Sequence, residues 1–86
     1  MTKKTMLREV MRDCKEQMQH IRDNNGSPFS AAYMGAKFNY FYALAGLKGQ
    51  VARHFDKLKA MYDDFHRQAD VEGWQPVKLE RFESSN

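Results

Sequence analysis

The 86-residue sequence contains one cysteine, two prolines and no long apolar run. A lone Cys14 has no partner for an intramolecular disulfide, so we expect a reducing compartment, most simply the cytoplasm. No apolar run approaches the roughly 18 residues that a membrane-spanning helix needs, so we expect no membrane partner. The first ten residues carry charges every few positions, unlike the apolar core of a secretory signal.

The sequence also lacks the spacings that catalytic and metal sites require. No two of the histidines, at positions 20, 54 and 66, lie four residues apart, so two zinc ligands never share a helix face. There is no phosphate-binding glycine loop and no nucleophile elbow. A chain this short buries only roughly 60 to 65% of its surface, which leaves little room for a deep cleft. We therefore expect no enzyme, no catalytic residue, no metal and no cofactor.

Apolar residues over positions 5–23 have the spacing of one face of an α-helix. They are Leu7, Val10, Met11, Cys14, Met18 and Ile21. Thr5 or Thr2 can cap the start of this helix by accepting a backbone N–H. The stretch Asn24, Asn25 and Gly26 tolerates left-handed backbone and ends the helix.

A second helix is predicted over residues 28–46, with Ser27 as its cap and Pro28 in its first position. This helix is apolar nearly all round, with large side chains such as Phe29, Phe38 and Phe41 on different sides. A helix of that kind must be covered on several sides, and so short a chain has few other helices to do so. The pattern therefore predicts a homodimer.

Gly46 and Gly49 weaken the helix between them, so we expect a break or a kink there. A third helix is predicted over residues 50–69 from a seam with alternating spacings of four and three. The seam consists of Val51, Phe55, Leu58, Tyr62, Phe65 and Ala69. The predicted fold class is all-α with two or three helices, since the last two are either separate helices or one kinked helix.

The last fourteen residues change character, which divides the chain into a helical domain (residues 1–72) and an extended C-terminal arm (residues 73–86). Gly73 and Pro76 stop the helix, and residues 77–81 alternate apolar with charged side chains as an edge strand does. The arm either packs on the chain through Trp74, Leu79 and Phe82 or pairs with a second molecule. We expect its end, residues 84–86, to be disordered.

The leading functional hypothesis is a small non-enzymatic protein-binding regulator or inhibitor that occludes or bridges a macromolecular partner. Aromatic and other large apolar side chains dominate interface energetics, and the sequence has more of them than a small core needs. The candidate partner-binding residues are Tyr40, Tyr42, Trp74, Leu79 and Phe82.

The alternative is a nucleic-acid-binding protein that uses the basic segment 48–59. Residues 24–62 carry an excess of basic side chains, whereas residues 63–86 carry an excess of acidic ones. Contacts to phosphates need only positive charge, so such a segment can position nucleic acid without reading its sequence. The candidates are Lys48, Arg53, Lys57 and Lys59.

Overall fold

The computed structural model describes residues 2–83. This part of the chain forms three α-helices, α1 (Lys3–Asp23), α2 (Ala31–Leu47) and α3 (Phe55–Glu72), followed by a 3-10 helix at Glu80–Phe82. No β-strand occurs within residues 2–83, and the predicted all-α fold class is confirmed. The predicted disorder of residues 84–86 lies outside the described residues.

The start of α2 differs from the sequence-based prediction. Ser30, and not Ser27, is the cap, because its Oγ accepts a hydrogen bond from the Tyr33 N–H at 3.3 Å. Ser27 instead accepts from the Phe29 N–H at 3.0 Å in the preceding turn, and Pro28 lies in that turn. The helix therefore begins three residues later than predicted.

The helix is interrupted between α2 and α3. Of the two alternatives that the sequence allowed, one kinked helix or two separate helices, the structure shows two separate helices. Gly49 has a φ of +65°, in the left-handed region that glycine adopts without strain. Residues 51–54 form turns, and α3 begins at Phe55, five residues later than predicted. Val51 consequently lies in a turn, although it still packs against the core.

The central helix is α2, with α1 and α3 packed against it. Leu7 near the start of α1 lies beside Gly46 near the end of α2, so these two helices are antiparallel. The start of α2 meets the end of α3, where the Glu72 carboxylate accepts from the Ala31 N–H at 2.8 Å. The result is a slab of 36 × 33 × 20 Å.

Residues 74–83 run back over the junction of α2 and α3. Phe82 is fully buried, and its ring centroid lies 5.2 to 5.5 Å from those of Phe38, Tyr42, Phe55 and Tyr62. The Tyr62 hydroxyl accepts from the Leu79 N–H at 3.0 Å and donates to the Glu83 carboxylate. Phe38 and Tyr42 of α2 thus pack within one chain, whereas Phe41 stays partly exposed.

Candidate functional site

The structure distributes the five predicted partner-binding residues between core and surface. Phe82 is buried, and Tyr42 and Leu79 are half-buried against the same aromatic cluster. Tyr40 is half-buried beside Phe41, whereas Trp74 is 41% exposed. These residues do not form one continuous surface, because three of them hold the arm in place.

The four residues of the predicted basic segment also separate. Lys48 and Lys57 line the same groove between α2 and α3, where His54 joins them. Arg53 is exposed in the preceding turn. Lys59 lies on another side of α3, where its ammonium group binds Asp63 at 3.0 Å. Only part of the predicted segment is therefore brought together.

One side of α2 carries basic and aromatic residues in alternation. Tyr33, Lys37, Phe41 and Lys48 follow each other at spacings of four, four and seven, which place them on one face of a helix. Lys37 and Lys48 are exposed, and Phe41 is 39% exposed. The Tyr40 and Phe41 rings are nearly perpendicular with centroids 5.2 Å apart, which restricts the orientation of the Phe41 ring.

A row of basic residues on α1 lies beside this side of α2. Lys4, Arg8, Lys15 and Arg22 are exposed and follow at spacings of four, seven and seven, so they share one side of α1. Arg22 donates to the Tyr33 hydroxyl at 2.8 Å, and its guanidinium lies 5.9 Å from the centre of the Tyr33 ring. This contact joins the row on α1 to the row on α2.

The groove between α2 and α3 connects the row on α2 to a basic residue of α3. Phe41 and Leu44 of α2, with Lys48 directly after it, line the groove together with Lys57 and Met61 of α3. These rows together form the basic face, defined here by its seven exposed cations: Lys4, Arg8, Lys15, Arg22, Lys37, Lys48 and Lys57. Sequence reasoning missed the four residues on α1, although their helical spacing was a usable signal.

On α3 the acidic residues lie mostly away from the basic face, whereas on α1 Glu16 lines the same surface hollow as Lys15 and Arg22. Asp56, Asp63 and Asp70 repeat every seven residues along α3, on a different side from Lys57. Within residues 2–83, no carboxylate lies within 4 Å of any of the seven cations. Asp64, which follows the groove along α3, pairs with Arg67 at 2.8 Å. The charge of the basic face is thus available to a ligand.

The groove itself is mainly apolar and has a volume of about 280 Å³. Ligand pockets commonly measure about 300 to 1,000 Å³, so this one suits a single small group. Its apolar lining comprises Phe41, Leu44, Ala45, Leu58 and Met61, and its polar lining comprises Lys48, Gln50, His54 and Lys57. The Gln50 N–H donates to the Ala45 carbonyl at 2.7 Å, which holds the turn at the end of the groove.

The groups with shifted pKa values lie away from the basic face. Burial raises the pKa of the Cys14 thiol, and burial together with the hydrogen bond to Glu83 raises that of Tyr62. Burial lowers the pKa of His66, whose buried Nε2 has no hydrogen-bond partner. These groups belong to the core and to the packing of the arm, and they supply no acid or base to the groove.

The part of the chain that the structure describes holds no cluster of three or more histidine, cysteine or acidic residues that could bind a metal ion. None of its helices is both long enough and apolar enough to cross a membrane. Comparisons with known proteins find no matching family model, no similar curated protein and no similar solved structure. The function must therefore be inferred from the chemistry of the basic face.

Proposed function

We propose that this protein is a small non-enzymatic nucleic-acid-binding protein. The observation that supports the proposal is the basic face, on which three helices contribute seven exposed cations around partly exposed aromatic rings. Phosphate backbones are bound chiefly by such cations, and aromatic rings among them offer stacking surfaces to bases. The predicted basic segment contributes Lys48 and Lys57 to this face, whereas Lys59 lies outside it.

The dimensions of the basic face limit the number of contacts. The α1 row runs from Lys4 to Arg22, a rise of about 27 Å at about 1.5 Å per residue, which matches about 8 steps of a duplex at 3.4 Å each. If all seven cations contact phosphates of a single strand, a plot of the logarithm of the affinity against the logarithm of the salt concentration has a slope of about −5. Such a slope corresponds to a loss of about 10³-fold between 50 and 200 mM salt.

The test compares two lysines of α3 that are two residues apart. Fluorescence anisotropy with labelled oligonucleotides measures the affinity of Lys57→Gln and of Lys59→Gln over a series of salt concentrations. Each variant loses one positive charge, but only Lys57 belongs to the basic face. We expect Lys57→Gln to bind about fivefold more weakly at 0.1 M salt, with a slope smaller by about 0.7, because one phosphate contact is lost.

The matched control, Lys59→Gln, should bind like the parent protein. Equal losses in both variants would show that binding follows net charge and not the basic face. Absence of any salt-dependent binding to DNA or RNA would refute the proposed function. Far-ultraviolet circular dichroism of both variants checks that neither substitution changes the helical content.

A protein partner is the second candidate, and the exposure of two large apolar side chains favours it. Phe29 is 72% and Trp74 is 41% exposed, which leaves apolar area for a contact. Of the five candidate partner-binding residues, Trp74 is exposed, Tyr40, Tyr42 and Leu79 are half-buried, and Phe82 is buried. Partner binding that survives nuclease treatment but is lost in Trp74→Ala would support a protein-binding regulator over a nucleic-acid-binding protein.

The predicted homodimer remains a prediction. It rests on the all-round apolar character of α2, part of which packs against α1, α3 and residues 74–82 of the same chain. Sedimentation equilibrium at micromolar concentration distinguishes a monomer of 10.1 kDa from a dimer.

A further inference from the structure

We propose that the groove between α2 and α3 holds one unpaired nucleobase, stacked on Phe41, so that the protein prefers single-stranded to duplex nucleic acid. This inference rests on the proposed function and adds the class of nucleic acid. It concerns the end of the basic face where Lys48 and Lys57 flank the apolar lining of the groove.

The groove combines the two features that a base and its phosphates require. Phe41 is 39% exposed and lines the groove, and the Tyr40 ring stands nearly perpendicular to it with the centroids 5.2 Å apart, which restricts how the Phe41 ring can turn. Met61, a polarizable and adaptable side chain, also lines the groove. Lys48 and Lys57 then lie where the phosphates on either side of an inserted base would pass.

Charge complementarity favours nucleic acid over an uncharged apolar segment as the occupant of the groove. A purely apolar protein segment would gain nothing from the two lysines, and no carboxylate within residues 2–83 neutralises them. The amide of Gln50 adds a donor and an acceptor that can meet a base edge. Bases inside a duplex are stacked and paired, so only an unpaired base can enter the groove.

The experiment measures anisotropy with DNA and RNA strands of about 12 nucleotides, with the same DNA strand carrying abasic sites, and with the corresponding duplex. The variants are Phe41→Ala and, as a matched control, Phe29→Ala, because Phe29 is also exposed but does not line the groove. Stacking on one aromatic ring corresponds to about 5- to 150-fold in affinity. We expect Phe41→Ala to bind single strands more weakly than the parent protein by a factor in that range. Its slope against salt concentration and its affinity for the duplex should not change.

The abasic strand should bind the parent protein as weakly as the intact strand binds Phe41→Ala, whereas Phe29→Ala should bind every probe like the parent. A second measurement needs no variant: the Met61 methyl resonance should shift on adding the intact strand and not the abasic one. Equal binding of intact and abasic strands, with an unmoved Met61 methyl, would overturn the base pocket while leaving the proposed function standing. Failure of every oligonucleotide to bind, with an acidic peptide binding instead, would overturn both.

Discussion

Replacing Phe82 by alanine tests whether the C-terminal arm is part of the core. Phe82 is fully buried, and its ring contacts four aromatic rings from α2 and α3. The substitution removes these contacts and leaves a cavity where two helices and the arm meet. The arm should loosen with it, because the Leu79 N–H and the Glu83 carboxylate are bound to Tyr62 next to that cavity.

The expected magnitude follows from the size of the side chain and from its neighbours. A buried Phe→Ala substitution costs about 3 to 5 kcal/mol, and loss of the aromatic pairs places Phe82→Ala in the upper half of that range. At about 0.05 to 0.15 kcal/mol per residue, a domain of this length is stable by about 4 to 13 kcal/mol. The substitution therefore removes a third or more of the free energy of unfolding.

Urea unfolding followed by far-ultraviolet circular dichroism measures this loss. Phe29→Ala is the matched control: Phe29 is 72% exposed, so the same substitution should change stability by no more than about 0.5 kcal/mol. In thermal unfolding, a loss of about 4 kcal/mol corresponds to about 20 °C in Tm.

A stability of Phe82→Ala equal to that of Phe29→Ala would refute the reasoning, since Phe82 could then not lie in the core in solution. An unfolding midpoint of the parent protein that rises with protein concentration would instead indicate that a second copy buries part of the apolar surface.

Two further predictions concern glycines and a histidine. A Cβ on Gly35 would lie 2.7 Å from the Phe65 ring, so Gly35→Ala should lower the free energy of unfolding in urea by about 1 to 2 kcal/mol. A Cβ on Gly46 would make an ordinary contact of 3.6 Å with Leu7, so Gly46→Ala should raise the free energy of unfolding by about 0.5 to 1 kcal/mol. The opposite order would contradict the close approach of α2 and α3. Burial lowers the pKa of His66 below its ordinary value of about 6.5. Below that pH the unfolded chain therefore binds more protons than the folded chain, so the free energy of unfolding should fall as the pH is lowered from 7 to 5. In His66→Gln, the difference between the urea midpoints at pH 7 and pH 5 should be smaller than in the parent protein. An unchanged difference would show that His66 does not cause the pH dependence.

Helix α1 shows how far local sequence goes. Its apolar spacing and its cap, Thr2, are local features, and the observed start at Lys3 lies two residues from the predicted one. The start of α2 was mispredicted because Ser27 and Ser30 are both competent caps. The carboxylate that binds the first N–H of α2 comes from Glu72, 41 residues away, and no local pattern identifies that partner.

The candidate site was predictable only in parts. Lys48 and Lys57 were identified from the density of basic residues, and the structure places both at the groove. Lys59 was grouped with them although it lies on another side of α3, paired with Asp63. The row on α1 has a clear helical spacing, but a sequence does not show that this row lies beside Tyr33 and Lys37 of α2.

By itself, the sequence determined the helical class, because apolar periodicity, caps and glycine breaks act within a few residues of the chain. Tertiary structure alone decided two other features. It placed Phe82 among the rings of α2 and α3, so that an apparent surplus of aromatic residues became a core. It also set three helices side by side, and rows of cations far apart in the chain became one basic face because antiparallel packing brings the same sides of the helices together.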